Sequence, residues 1–145
     1  MTEVAFHFGA PDKVRYAERL LRKATRAGSR LWVLAPEAHA ALLDASLWGV
    51  APTAFIPHCL DQAPASVRQR SAVVLAHDVH AVPEGMQVLV NLTDTMPEGF
   101  ERFSRVIEVV STEESDRQSA RERWKQYTRL GYSIQRHDLQ LRADA

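Results

Sequence analysis

The sequence predicts a single-domain α/β fold over residues 1–145, with a mostly parallel sheet flanked by helices. Three observations lead there. The N-terminal part runs strand, helix, strand, helix with short connections, the order that builds a helix-covered parallel sheet. The strand candidates that follow are compact apolar runs, as buried strands are. No internal repeat or low-complexity segment divides the chain, and its length fits one domain.

The elements follow in order. Val4–Phe8 is a short apolar stretch that stops at Gly9-Ala10-Pro11, a strand ending in a turn. Asp12 is placed to cap a helix from Lys13 to Ala27, in which Val14, Ala17, Leu20, Leu21 and Ala24 recur at helical spacing and Gly28 ends the run. Arg30–Leu34 is of strand length. Pro36 starts a second helix through Ala40, Leu42, Leu43 and Leu47 to Trp48. Gly49–Ala51, prolonged by Pro52, reads as a turn. Thr53–Leu60 is apolar but holds Pro57, which suits an edge strand or extended loop. Asp61–Arg70 is polar, carries Pro64 and reads as a loop. Ala72–Ala76 and Gln87–Leu92 are buried-strand candidates, separated by a loop, His77–Met86, with Pro83 and Gly85. Pro97–Phe103 reads as a helical turn that points Phe100 and Phe103 inward, and Arg105–Val110 as a last core strand. Tyr132–Leu141 alternates weakly and is expected as a terminal edge strand.

Composition narrows the function classes. The chain is 46% hydrophobic, enough to bury a core without disulfide or metal at this length. Lys+Arg and Asp+Glu both number 18, so no global field draws it to nucleic acid or membrane. Single Cys59 precludes an intramolecular disulfide and suits a reducing cytosol. No stretch has the length of a membrane span, and the N-terminus lacks the basic and apolar regions of a secretory signal.

The catalytic motifs are weak. A dinucleotide site needs G-x-G-x-x-G after the first strand, whereas this chain has G-A-P-D there and no phosphate-loop motif. A nucleotide-binding α/β enzyme is therefore the alternative, not the leading account. His77-Asp78-Val79-His80 offers two imidazoles and a carboxylate to a metal, but lies in a loop with no second cluster, so surface histidines are the favoured reading. His58 and Cys59 are adjacent in an extended segment, so they face opposite ways and cannot pair as base and nucleophile. No cofactor, metal or catalytic residue is assigned.

The most informative stretch is Ser111–Gly131. Ser111 and Glu114 have capping-box spacing. Glu113, Glu114 and Asp116 complement the helix dipole at its start, Arg129 does so at its end, and Gly131 can close it. At 100° per residue Arg117, Arg121 and Lys125 share one face with Trp124 at its border, while Ala120, Tyr127 and Leu130 form an apolar face. The stacked cations repel by about 0.2–0.5 kcal/mol per pair. Two accounts stay open on this pattern: an anion site beside an aromatic, or a solvated basic face with Glu113 paired to Arg117. Trp48, Phe55, Pro57 and Leu60 likewise bracket either a core region or an apolar patch for a protein partner.

The run Leu47, Trp48 … Phe55, Ile56, Pro57, His58, followed by Ala120–Tyr127 (A-R-E-R-W-K-Q-Y) and Gly131-Tyr132, resembles the chi subunit family of bacterial DNA polymerase III. Spacing, length and strand–helix order agree along the chain, with Gln62–Val82 the loosest part. The resemblance implies a Rossmann-like fold without nucleotide, and a non-enzymatic, cytoplasmic accessory subunit of the clamp loader. It further implies one surface for the psi subunit and another for the acidic C-terminal tail of single-stranded DNA-binding protein, with DNA reached only indirectly. By motif position the tail site falls on Arg117, Arg121, Trp124 and Lys125, with Val110 as a pocket wall. In that site Arg121 would take the terminal carboxylate in a bidentate fork, Trp124 would pack the terminal phenylalanine, and Arg117 and Lys125 would attract the upstream acids. The family more often has Tyr at the position of Trp124 and Lys at that of Arg117. Arg136 stands where it has a small polar residue, and no role for Arg136 follows. The psi surface maps to Trp48, Phe55, Pro57 and Leu60.

Overall fold

The computed structural model describes residues 2–49 and 55–139. Seven strands form one sheet: β1 (Glu3–Ala10), β2 (Leu31–Leu34), β3 (His58–Leu60), β4 (Val73–Ala76), β5 (Val88–Asn91), β6 (Arg105–Ser111) and β7 (Ile134–Asp138). Their order is β3-β4-β2-β5-β6-β1-β7, and each neighbouring pair is parallel. Among the described residues, four α-helices accompany them: α1 (Lys13–Arg26), α2 (Glu37–Trp48), α3 (Ala65–Arg70) and α4 (Glu114–Arg129). The predicted fold class is therefore the observed one, and β3 and β7 are edge strands as expected. Val50–Ala54, in which most of the predicted turn and the start of the Thr53–Leu60 segment fall, lie outside the described residues, as does the end of the Tyr132–Leu141 segment.

Side-chain alternation divides the core in two. Leu31, Val33, Val73, Leu75, Ile107 and Val109 face Ala17 and Leu21 of α1 and Leu43 and Leu47 of α2. Trp32, Leu34, Val74, Val106 and Val110 face the other way, toward Ala120 and Tyr127 of α4 and toward Phe100 and Phe103. The last two come from a 3₁₀ turn at Phe100–Arg102 and are buried, as predicted.

Three local expectations are corrected. Asp61–Arg70 is not simply a loop, because Ala65–Arg70 is helical. Six residues are too few to show an apolar period; Pro64 starts the helix, and Arg30 supports its end by donating to the Gln69 and Ser71 carbonyls at 2.7 and 3.2 Å. The capping box also does not form. Ser111 ends β6, Glu113 is the cap residue without a side-chain cap, and Glu114 is the first helical residue. Asp116 reaches back instead, accepting from the Ser111 N–H at 2.7 Å and pairing with Lys13 at 2.8 Å. One carboxylate thus ties the start of α4 to both β6 and α1. At the far end the chain closes through Gly131, with φ 91°, and the Tyr132 N–H donates to the Tyr127 carbonyl, a Schellman-type pattern. That reversal leaves Leu130 exposed, outside the apolar face predicted for it.

The other side of α4 is fastened by a buried polar cluster. Glu108 on β6 is fully buried and accepts from Arg123 Nε at 3.1 Å, Tyr127 Oη at 2.9 Å and Asn91 Nδ2 at 3.0 Å. Burial raises the Glu108 carboxyl above its usual range, against the pull of Arg123 and the other donors. Arg123 is 2% exposed, and a buried charge stripped of its partner is costly. Arg123→Ala should therefore lose about 3–5 kcal/mol of folding free energy in urea denaturation; a loss under about 1 kcal/mol would show that the pair does not anchor the helix.

Asp116 gives a pH-dependent check. Partial burial pushes its carboxyl up, but the hydrogen bonds from Lys13 and the Ser111 N–H, with the Lys13 charge, outweigh that and hold it below 3.8. A carboxyl lowered on folding stabilises the protein above its unfolded pKa, and the contribution disappears as pH falls through the folded value. Asp116→Asn should cost about 1–3 kcal/mol at pH 7, with the gap to wild type closing as the pH is lowered past 4. A gap independent of pH would contradict the ionised pair.

Candidate protein-interaction site

Four of the five predicted tail-site residues, Arg117, Arg121, Trp124 and Lys125, lie along a groove between α4 and the edge strand β7. Its floor comes from β1. In the β1–β7 register Phe6 is opposite Arg136 and Phe8 opposite Asp138, so these four side chains share the face on which α4 packs. Trp124 descends from α4 onto Phe6 and Phe8, with ring centroids 5.1 and 6.0 Å away. The β1–β6 register is interrupted between His7 and Ala10, where Gly9 has φ 86°. This bulge bends the strand end, and Phe8 and Gly9 line the groove beside Ser111 and Thr112 from the end of β6. Arg117, Arg121, Trp124 and Lys125 form one wall, Arg136 and Asp138 the other, around a cavity of about 580 Å³.

Four cations and one acid line this space. Arg117 and Arg121 share the carboxylate of Glu114, at 3.6 and 3.3 Å, and Lys125 lies 3.5 Å from Glu122. Glu114, not Glu113, is thus the partner of Arg117. All these side chains are at least half exposed, so the pairs are weak and an incoming anion can replace them. Arg136 lies over the Phe8 ring, 4.7 Å from its centroid. The groove thus combines an aromatic floor with cationic walls, which suits a ligand carrying both an apolar group and negative charge.

Sequence reasoning placed Arg117, Arg121, Trp124 and Lys125 together, and all four line the groove. Val110 does not: it is fully buried in the core beneath α4, and its neighbours Ser111 and Thr112 reach the groove instead. Phe8 and Gly9 were missed. Their signal is the β1–β7 pairing, which no local pattern in the sequence encodes.

The second predicted surface sits at the opposite edge of the sheet, around the end of α2 and β3. Trp48 is 60% exposed, Phe55 and Leu60 are 40% exposed, and Pro57 is exposed too, so this region is surface and not core. Trp48 and Phe55 stack at 4.9 Å, and the His58 ring packs against both. His58 is held by the Asp44 carboxylate at 3.1 Å and by backbone oxygens of Ile56 and Asp44. Cys59 is buried on the other side of the strand, as the alternation required.

The remaining sequence candidates sort simply. His80 contacts both Asp61 and Asp78, at 2.8 and 3.3 Å, and these three form a group of potential metal ligands within 4.8 Å. Asp61 was not foreseen there, and His77 is not part of the group. At the first strand–helix turn, Asp12 accepts from the Arg15 N–H and so occupies the helix N-terminus that a phosphate would need. Among the described residues no helix is long and apolar enough to cross a membrane.

Comparison with known proteins decides the family. The model of the DNA polymerase III chi subunit, HolC, matches residues 1–135. The chain belongs to the DNA polymerase III chi subunit family. A curated relative, DNA polymerase III subunit chi of Pseudomonas aeruginosa, is 34% identical over 128 residues, which cover 88% of this chain and 87% of that protein. Both aromatic and cationic surfaces of this chi-family chain fall within the matched span, except Arg136 and Asp138, which follow it.

Proposed function

We propose that this chi-family chain is a non-catalytic, cytoplasmic adaptor of the replicase. In this reading its α4–β7 groove takes the acidic C-terminal tail of single-stranded DNA-binding protein, and its Trp48–Phe55 surface takes the psi subunit. The chain thereby links the clamp-loader complex to coated single-stranded DNA. The observation that carries the reading is the groove itself. A tail ending in an apolar residue after a run of acids needs apolar surface flanked by cations, and the groove sets the packed rings of Phe8 and Trp124 among Arg117, Arg121, Lys125 and Arg136.

Tail acids entering the groove would replace Glu114 and Glu122 as partners and relieve the repulsion among the three stacked cations of α4. Such contacts are screened by salt. The exposed Trp48 and Phe55 supply the rigid aromatic area favoured at protein interfaces. Because the two surfaces lie at opposite edges of the sheet, both partners can be held at once. An enzyme of the nucleotide-binding type has less support, since Asp12 occupies the first helix N-terminus.

Fluorescence anisotropy with a labelled tail peptide tests the reading. Arg121→Ala should weaken binding about tenfold, added salt should weaken wild-type binding further, and Trp48→Asp should leave the tail affinity unchanged. Equal affinities for wild type and Arg121→Ala, with no response to salt, would sink the assignment.

A further inference from the structure

Charge is unevenly placed along the chain. In its 14 residues α1 carries Lys13, Arg15, Arg19, Arg22, Lys23 and Arg26 against a single acid, Glu18. Lys+Arg and Asp+Glu are balanced at 18 each over the whole chain, so the remainder holds five more acids than bases. By the helical repeat, the cations from Arg15 to Arg26 fall within an arc of about 100°, opposite Ala17 and Leu21, which face the core. Lys13 is turned toward Asp116, and Arg22 pairs with Glu18 at 3.2 Å. Arg15, Arg19, Lys23 and Arg26 are exposed, with no carboxylate within ion-pair distance among the described residues.

This stripe costs the helix stability. Its neighbouring cations repel one another, and Lys13 and Arg15 bring positive charge to the positive end of the helix dipole, with no acid in the first turn. A polyanion laid along the stripe relieves both. From Arg15 to Arg26 the helix rises about 16 Å, the length of about five phosphates on one strand of a duplex. What the stripe lacks narrows the ligand further. No large hydrophobic side chain is exposed on α1 among the described residues. A protein partner therefore finds no apolar anchor there, a membrane no face to insert, and the unstacked bases of a single strand no ring to stack on. Tyr16 is partly buried, with its hydroxyl on His7. We propose that the exposed face of α1 is a sequence-independent binding surface for the phosphate backbone of duplex DNA, held by Arg15, Arg19, Lys23 and Arg26. Arginine suits that role, since its fork can take two phosphate oxygens. Charges beyond about 10 Å are screened at about 0.1 M salt, so the stripe governs the contact and not the balanced whole. The surface lies on the side of the sheet opposite α4, so it adds a direct DNA contact without competing for the groove.

Titration of the full chain against a labelled DNA duplex of about 20 base pairs, followed by anisotropy at several salt concentrations, tests this. Wild type should bind with a Kd of about 1–100 µM at about 50 mM salt, and log K should fall against log salt with a slope of about −3 to −4, as four phosphate contacts require. The triple variant Arg15→Gln, Arg19→Gln, Arg26→Gln should bind at least about tenfold more weakly, with a slope shallower by about 2–3. Its thermal melting should be no lower than that of wild type, because the exchanged side chains are exposed and mutually repelling. The groove variant Arg117→Gln, Arg121→Gln, Lys125→Gln should keep duplex affinity within about twofold of wild type. Absence of duplex binding by wild type at about 50 mM salt would overturn the inference. So would an α1 variant with wild-type affinity and slope, a loss confined to the groove variant, or tighter binding of a single strand of the same length.

Discussion

The orientation of α4 depends on the buried contact between Arg123 and Glu108. A charged pair is a poor source of net stability once desolvation is counted. It is, however, demanding in geometry, and here Tyr127 and Asn91 complete the carboxylate's hydrogen bonds. With Arg123 and Tyr127 fixed inward, the helical repeat sets everything else on α4. Trp124 falls about 100° around the axis, on the flank over β1, and Arg117, Arg121 and Lys125 fall further around, toward solvent. An apolar residue at position 123 would fill space without fixing that rotation so strictly. The polar anchor and the basic face are thus two sides of one helix, and the first determines where the second points.

The groove also needs a second wall, which the chain supplies by returning immediately to the sheet. Gly131 reverses the path after α4, and β7 docks parallel to β1. The β1–β7 register brings Arg136 and Asp138 to the same side as Phe6 and Phe8. The start of α4 is fixed by Asp116, which holds both the last amide of β6 and Lys13 of α1. The groove is therefore framed at both ends of one helix, while the aromatic Trp48–Phe55 surface is built independently at the other edge of the sheet.

Much of this was legible in the sequence. Apolar runs such as Ala72–Ala76 identify buried strands because a strand covered on both faces leaves no other composition open. Asp12, Pro36 and Gly131 mark helix ends through local chemistry, and each acts near its expected place. What failed was either too short or non-local. Ala65–Arg70 makes less than two helical turns and has no apolar stripe. Ser111 looked like a cap because the spacing to Glu114 was right, but the strand runs through it and Asp116 provides the contact from further on. At the site, the cations and Trp124 share one helix and so appear in the sequence. Phe8 and Arg136 are separated by most of the chain and meet only through strand pairing, and Val110 looked close in sequence while its side chain points into the core.

The central claim is that the acidic tail occupies the α4–β7 groove and not the aromatic surface at the far edge. The chain's three tryptophans report on it separately: Trp124 lines the groove, Trp48 lies on the aromatic patch, and Trp32 is fully buried. The most direct measurement is to follow their indole N–H resonances during titration with the tail peptide. The account predicts that the Trp124 signal moves to saturation while those of Trp48 and Trp32 stay in place; movement of Trp48 with Trp124 unchanged would contradict it.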